Sequence, residues 1–437
     1  MLKSLYLYAK YFSFSLFSSN ARAIILNDLN RYYKKNSILK NIPVVSEKKK
    51  QLAIERAVNW LLFSQKQMED NGIGSYHLVN GWLASYPETT GYIIPSLINF
   101  AEKNNNEKII KAALSAADWL IEIQKESGGW QGGRIDDKLY ETVFNTGQII
   151  RGLIAAYQKT KNEKYLDSLV KAADWLCEIQ EKDGCWKKYA SMNKARVYDS
   201  YVDFPLIMVF QITGNKKYKE HTIKNLNWIV EKKQNIKGWF EDCDNTIKHN
   251  DKPILHTIAY TIDGLLDCGI LLKKEKYIQA AILPANVLLK KFEENNFLHG
   301  RFDENWNGSE YIITTGCAQI AIVWLKLFKQ YADKKYLISA KKMNNLLVCI
   351  QNRNIKESNN TLGAITGSFP LWGKYEPFAF PNWATKYFID SLMMEREVGK
   401  GSIRIPYSRE AEAEAKDKAK DKDKGSIRAP FSRKVGQ

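Results

Sequence analysis

Acidic residues recur at one place in a repeated unit of this chain. Glu88, Glu141, Asp199, Glu310 and Glu376 stand just before or at the start of successive apolar segments, and His256 takes the equivalent place in the fourth. An acid at a helix start is stabilised by the helix dipole by roughly 0.3 to 1 kcal/mol and can cap free amides. Each acid taken singly is therefore explained as a cap. Several carboxylates around one cavity would make a different demand, because two carboxylates facing a bound sugar are what glycoside hydrolysis requires, one as acid and one as base or nucleophile. His256 and Tyr260, four residues apart, share one helix face. Beside a carboxylate such a pair can remove and return a proton, the chemistry of uronate elimination or epimerisation. A core histidine bonded to a neighbour would read the same way.

Aromatic residues crowd the same segments. Tyr86, Tyr92, Trp130, Tyr201, Trp239, Tyr311, Trp372 and Trp383 are candidate sugar platforms, with Asn145 as a further polar contact. Arg134, Arg151 and Arg196 lie near the second and third units, where a guanidinium fork could hold a carboxylate. Plain core packing and surface placement remain open for these residues. There is no Gly-rich phosphate loop, Ser nucleophile elbow or zinc-helix motif. The six cysteines (Cys177, Cys185, Cys243, Cys268, Cys317, Cys349) are scattered, with no CxxC and no zinc-ligand spacing to His. Neither metal nor cofactor is expected.

The elements that must position these residues are visible as a repeat. An amphipathic helix recurs as Ala117-Asp-Trp-Leu-Ile-Glu-Ile-Gln124, Ala173-Asp-Trp-Leu-Cys-Glu-Ile-Gln180 and Asn225-Leu-Asn-Trp-Ile-Val230, with related copies near Ala57, Ala285 and Met343. A glycine-aromatic turn follows each: Gly81-Trp82, Gly129-Trp130, Gly184-Cys-Trp186, Gly238-Trp239, Gly300-Arg-Phe302 and Gly367-Ser-Phe369. A more apolar helix then starts near Thr89, Thr142, Ser200, His256, Ile312 and Phe380, at intervals of 53, 58, 56, 56 and 68 residues. Two helices per unit with no strand pattern specify stacked helical hairpins. Six pairs suit closure into an all-α (α/α)6 toroid, with the apolar helix of each pair as inner wall and the acids gathered at one mouth. An open superhelix is the alternative.

The formal charge of +17 is uneven. Residues 1–49 form a basic, aromatic extension, 50–394 the toroid, and 395–437 a low-complexity charged tail with twin nonamers beginning at Gly401 and Gly425. Counted over Met1–Lys50, Lys and Arg number ten against two acids, and the toroid segment is only mildly basic, so a nucleic-acid partner is not expected. The apolar run from Leu5 to Ser19 is interrupted by Lys10 and shorter than the roughly 20 residues that span a bilayer. A signal sequence or a segment lying on a membrane surface are both open. The expected location is cytoplasmic, with peripheral membrane contact through this segment.

Over residues 50–394 the units resemble the (α/α)6 toroid superfamily of six-hairpin glycosidases, uronate lyases and the toroidal domain of glucuronyl epimerases. Ser85-Tyr-Pro-Glu-Thr-Thr-Gly-Tyr-Ile-Ile-Pro95 and Phe144-Asn-Thr-Gly-Gln-Ile-Ile150 are similar to bacterial toroid proteins associated with polysaccharide production. The strings Gln124 to Trp130 and Gln180 to Trp186 resemble the Gln-Trp repeats of squalene cyclases, but the Asp-rich protonation motif of those enzymes is missing. The resemblance implies a carbohydrate-active enzyme that binds a glycan, one containing uronic acid among the options, and works by acid-base catalysis as hydrolase, lyase or epimerase. A terpenoid-cyclase-like enzyme and a non-catalytic toroid binding a protein partner are the rival classes.

Overall fold

The computed structural model describes residues 8–14, 18–33, 37–352 and 359–399. The nonamer repeats of the charged tail lie outside the described residues. The described residues up to Arg396 form one compact unit.

A helical stretch at residues 8–14 and a helix α1 (Ser19–Tyr33) precede twelve helices that form six pairs. The outer members are α2 (Glu47–Gln67), α4 (Glu107–Glu122), α6 (Glu163–Glu178), α8 (Lys216–Lys232), α10 (Glu275–Asn295) and α12 (Lys334–Ile350). The inner members are α3 (Pro87–Lys103), α5 (Val143–Thr160), α7 (Ser200–Thr213), α9 (Leu255–Leu272), α11 (Thr314–Tyr331) and α13 (Asn382–Gly399). The inner helices begin within two residues of the positions expected from the repeat. Their burial follows composition: α9 is long and apolar enough to cross a membrane, yet here it is enclosed by its neighbours. Short ribbons decorate the loops that enter the inner helices: β1 (Tyr76–His77), β2 (Gly81–Trp82), β3 (Arg301–Phe302), β4 (Gly308–Ser309), β5 (Ile312–Ile313), β6 (Ser368–Phe369) and β7 (Ala379–Phe380). The central β1 pairs antiparallel with both β2 and β7, tying the loop before α3 to the loop before α13.

The recurring residues are the fasteners of the ring. The inner helix ends in a left-handed residue such as Lys161, Gly214, Lys273 or Ala332, and Asn162, Asn215 and Asp333 then cap the next outer helix with their side chains. A tyrosine near the start of each later outer helix donates to the Asp or Asn beside the preceding helix's Trp or its equivalent: Tyr165 to Asp118 at 2.7 Å, Tyr218 to Asp174 at 2.6 Å, Tyr277 to Asn227 and Tyr336 to Asn286 at 2.7 Å. The Gln that follows the outer helix reaches a carbonyl of the next one, Gln124 to Ser168 and Gln180 to His221, both at 3.0 Å. Trp130 and Trp186 turn back beneath their helices, their indole N–H donating to the carbonyls of Leu120 and Leu176.

The same fastener closes the ring. Gln351, after the sixth outer helix, donates to the Ala53 carbonyl of the first at 2.9 Å. Lys50 of α2 forms a buried ion pair with Glu395 of α13 at 2.5 Å, and Asn344 of α12 completes it. Breaking one partner of such a buried pair costs about 3 to 5 kcal/mol, so it fixes which helices meet. The fold is therefore the closed toroid and not an open superhelix.

Candidate active site

Six inner-helix N-termini open into one mouth, and the sequence decides which side chains reach it. Glu88 is the second residue of α3, behind Pro87 in the first turn, a position whose fixed φ suits a helix start. A helix N-terminus favours an ionised carboxylate. Burial wins here: it pushes the Glu88 carboxyl up to about 7, against the opposing contact with the Tyr86 hydroxyl. Glu376 reaches the same space from the turn before β7, on a left-handed backbone (φ 46°) that a glutamate rarely adopts. Burial raises its carboxyl as well, and the Arg134 guanidinium opposes that rise. Glu88 and Glu376 lie in one neighbourhood, since Tyr86 and Tyr375 each feel the field of both.

Supporting contacts set this group. Arg134 opens the turn Ile135–Asp137, and the Ile135 amide donates to the Ser85 carbonyl at 2.9 Å, which places the turn beside Tyr86. Among the described residues its guanidinium has no carboxylate within ion-pair distance. Trp383, edge-on to Tyr86, donates from its indole to the Tyr375 hydroxyl at 2.9 Å. His256, at the start of α9, has its Nδ1 2.7 Å from Gln319 Oε1 of α11. With that oxygen accepting, Nδ1 carries the proton and Nε2 is left as an acceptor. Burial lowers His256 to about 4, against the Gln319 contact, so it is neutral near pH 7. Its ring lies 4.4 Å from Tyr260 and 5.8 Å from Tyr375.

Below this layer Tyr92, Tyr201, Tyr260 and Tyr387 form a phenolic floor. Tyr201 is 4.6 Å from Tyr260, and the Tyr387 hydroxyl donates to that of Tyr201 at 3.2 Å. Arg151 lies over the Tyr201 ring and Lys386 over Tyr387, each at 3.8 Å. The Tyr260 hydroxyl is buried beside those of Tyr92 and Tyr387. Asp199, fully enclosed, is pushed well above its ordinary value by burial, with Arg196 opposing; its neighbour Tyr198 feels both Asp199 and Glu88.

The other expected residues stand elsewhere. Glu141 sits at the outer lip: burial alone would raise its carboxyl, but the Ser127 hydroxyl at 2.7 Å, its own amide and Lys125 hold it below the ordinary range. Glu310 is neutralised by Arg301 at 3.4 Å and Lys374 at 3.0 Å, so it ties rim loops together. Trp130 has no exposed surface, and Trp239 is nearly buried with its indole on the Phe302 carbonyl; both are core, because the ring must plug the turn after its glycine. Asn145 is buried, donating to the Gln131 carbonyl. Tyr311 and Trp372 are occupied by the N-terminal segment: the Tyr33 and Tyr311 hydroxyls are 3.1 Å apart, and Tyr33 stacks parallel to Trp372. Gln319, which meets His256, and Tyr387, which meets Tyr201, are residues that the sequence reading passed over. Gln319 had one signal, a polar side chain in a mostly apolar stretch of its inner helix, and Tyr387 had none. No group of three or more potential metal ligands occurs among the described residues.

The closed ring of six helix pairs defines the class by its fold: an (α/α)6 toroid. The family model for the beta-L-arabinofuranosidase GH127 catalytic domain matches residues 80–282. Among solved structures, an unsaturated glucuronyl hydrolase specific for heparin is similar at 15% identity, TM-score 0.65, covering 81% of this chain and 99% of its own. The unsaturated glucuronyl hydrolase of Bacillus sp. GL1 is 16% identical, TM-score 0.65, covering 82% and 99%. That of Streptococcus agalactiae, in a point variant complexed with dGlcA-GalNAc6S, is 14% identical, TM-score 0.61, covering 82% and 93%. No curated relative matches this sequence.

Proposed function

We propose that this chain is a glycoside hydrolase that removes a terminal sugar from a uronic-acid-containing glycan held in the mouth of the toroid. The observation that carries the reading is Glu88, a carboxyl raised to about 7 among tyrosines at a helix start, and so half-protonated at neutral pH. A general acid works best when its pKa lies near the working pH. In the proposed step Glu88 gives its proton to the bridging oxygen as that oxygen leaves the sugar, and Glu376 takes a proton from the water that attacks. Arg134, with no carboxylate partner among the described residues and beside Glu376, supplies a fork for a uronate carboxylate. His256 Nε2 and the Tyr260 hydroxyl supply an acceptor and a donor for sugar hydroxyls.

Supporting the acidic sugar are Arg134 and the likeness in fold to unsaturated glucuronyl hydrolases. The family model over residues 80–282 favours a second reading, an arabinofuranoside, which is neutral. Three substrates separate them: an unsaturated glucuronyl disaccharide, a saturated glucuronide and an aryl β-L-arabinofuranoside, each with the native chain and with Glu88→Gln. We expect turnover of a glucuronyl substrate, lost in Glu88→Gln, with Arg134→Met raising KM for that substrate. Cleavage of the arabinofuranoside alone establishes the second reading. Turnover that Glu88→Gln leaves intact overturns the site.

A further inference from the structure

The loop that carries Glu376 is held in a strained form by contacts that include the N-terminal segment. Residues 371–378 close on themselves where the Phe378 amide donates to the Leu371 carbonyl at 2.9 Å, and the Ser368 hydroxyl donates to the Tyr375 carbonyl at 2.6 Å. Inside that closure Glu376 and Phe378 both stand on left-handed backbone, at φ 46° and 59°. A residue other than glycine in that region, and a bulky phenylalanine above all, persists only where its surroundings over-determine it. The N-terminal segment supplies part of those surroundings. The Leu371 amide donates to Oδ2 of Asp28 at 2.8 Å, across 343 residues of sequence, and both residues are buried. Phe378, itself without exposed surface, meets the rings of Tyr8, Tyr11 and Phe12 at centroid distances of 6.4, 5.3 and 5.2 Å.

We infer that Asp28 is a positioning residue, which fixes the loop that presents Glu376. Helix α1 is built to deliver it. Ala21, Ile24, Asp28, Arg31 and Tyr32 recur at helical spacing and so share one side of the helix. The first three are buried, Arg31 donates to the carbonyls of Cys349 and Ile350, and Tyr32 meets Phe369 and Tyr311 edge-on at 5.7 and 5.5 Å. A carboxyl on such a buried side is costly unless it is hydrogen-bonded, and the Leu371 amide is a bond it makes. Leu371 commits both its backbone groups, the carbonyl to Phe378 and the amide to Asp28. The closure of the loop and its tie to α1 therefore meet in one residue, five before Glu376 in the chain. A displacement of about 1 Å in a working group, caused from a distance, can cost about 10²-fold in rate. The effect on rate rests on the reading of Glu376 as the base; the anchoring of the loop does not.

Hydrogen exchange of the full chain, read by mass spectrometry, tests the anchor, and steady-state kinetics tests its consequence. Asp28→Ala should speed deuterium uptake in peptides spanning Leu371–Phe378 by about tenfold or more, while peptides from α5 and α7 exchange as in the native chain. On a glycan that the native chain cleaves, its kcat should fall by about tenfold to a hundredfold with KM changed by less than about threefold. Asp28→Asn, whose amide oxygen can accept the same bond, should stay within about threefold of the native chain in both measurements. Phe12→Ala removes a partly exposed ring and should speed the same peptides by about threefold, which keeps the test open where Asp28→Ala fails to fold. Unchanged exchange in Asp28→Ala, or in Phe12→Ala where that variant must stand in, overturns the anchor. Faster exchange with kcat intact, on a substrate whose cleavage Glu376→Gln abolishes, overturns the positioning role. A native chain that cleaves no glycan refutes the hydrolase reading, and the exchange result then decides the anchor by itself.

Discussion

Glu88 and Glu376 on one side, Glu141 and Glu310 on the other, occupy equivalent places in the repeat and live in opposite surroundings. The first pair is desolvated among tyrosines, with Arg134 near Glu376. The second pair is held by Ser127 and Lys125, or by Arg301 and Lys374. Position in the unit brings an acid to the rim. Neighbouring loops decide whether it is paired off or left as a reactive group.

The comparison breaks first at Glu88. Glu88→Gln keeps size and shape and removes the proton, so kcat/KM on a cleaved glycan should fall by about 10²–10⁴, the range for a lost general acid. Circular dichroism and melting temperature should show the fold kept. Glu376→Gln should follow with a fall of about 10², because the attacking water loses its base. A variant at Glu88 within tenfold of the native rate would put it with the rim acids.

Acidity sharpens the contrast. The folded Glu88 carboxyl is raised from 4.5 to about 7, so the folded chain holds a proton the unfolded chain has released. Its favourable contribution is complete below pH 4.5 and is lost as pH rises through 7, leaving a cost of about 3 kcal/mol at alkaline pH. Glu88→Gln should therefore be more stable than the native chain at pH 8 and similar to it near pH 4.5, read from urea midpoints. The kcat/KM profile should also fall above about pH 7 in the native chain.

How far the sequence reveals this depends on the scale of interaction. The ring was legible because the glycine-aromatic turns and the repeated helix phrase are local, and Gln124, Gln180 and Trp130 act within their own or adjoining units. That the acids gather at one rim follows from the repeat alone. Which of them is desolvated does not, because Ser127 and Lys125 come from the preceding turn and Lys374 from a loop 64 residues beyond Glu310. The aromatic set divides for the same reason. Trp383 and Tyr86 meet at the mouth, whereas Trp130 and Trp239 plug turns, and no property of a tryptophan in sequence separates the two. Gln319 is a polar residue whose purpose appears only when α9 and α11 are side by side.

The smallest effects belong to the outer lip and test the contrast from the other side. Glu141 is held below its ordinary value, so its contribution to stability is present above pH 4.5 and lost as pH falls through the lowered folded value. Glu141→Gln should destabilise the chain at pH 7 by under about 1 kcal/mol, as for a partly exposed pair, and not at all at strongly acid pH. Its slope with pH is thus opposite in sign to that of Glu88→Gln. Activity should change by less than about threefold, and Glu310→Gln should behave alike, since Arg301 keeps a second carboxylate in Asp244 at 2.8 Å. A tenfold loss of kcat/KM in Glu141→Gln with unchanged melting would mean that the Ser127 and Lys125 contacts position a working carboxylate. The division of the mouth into reactive and paired acids would then be drawn in the wrong place.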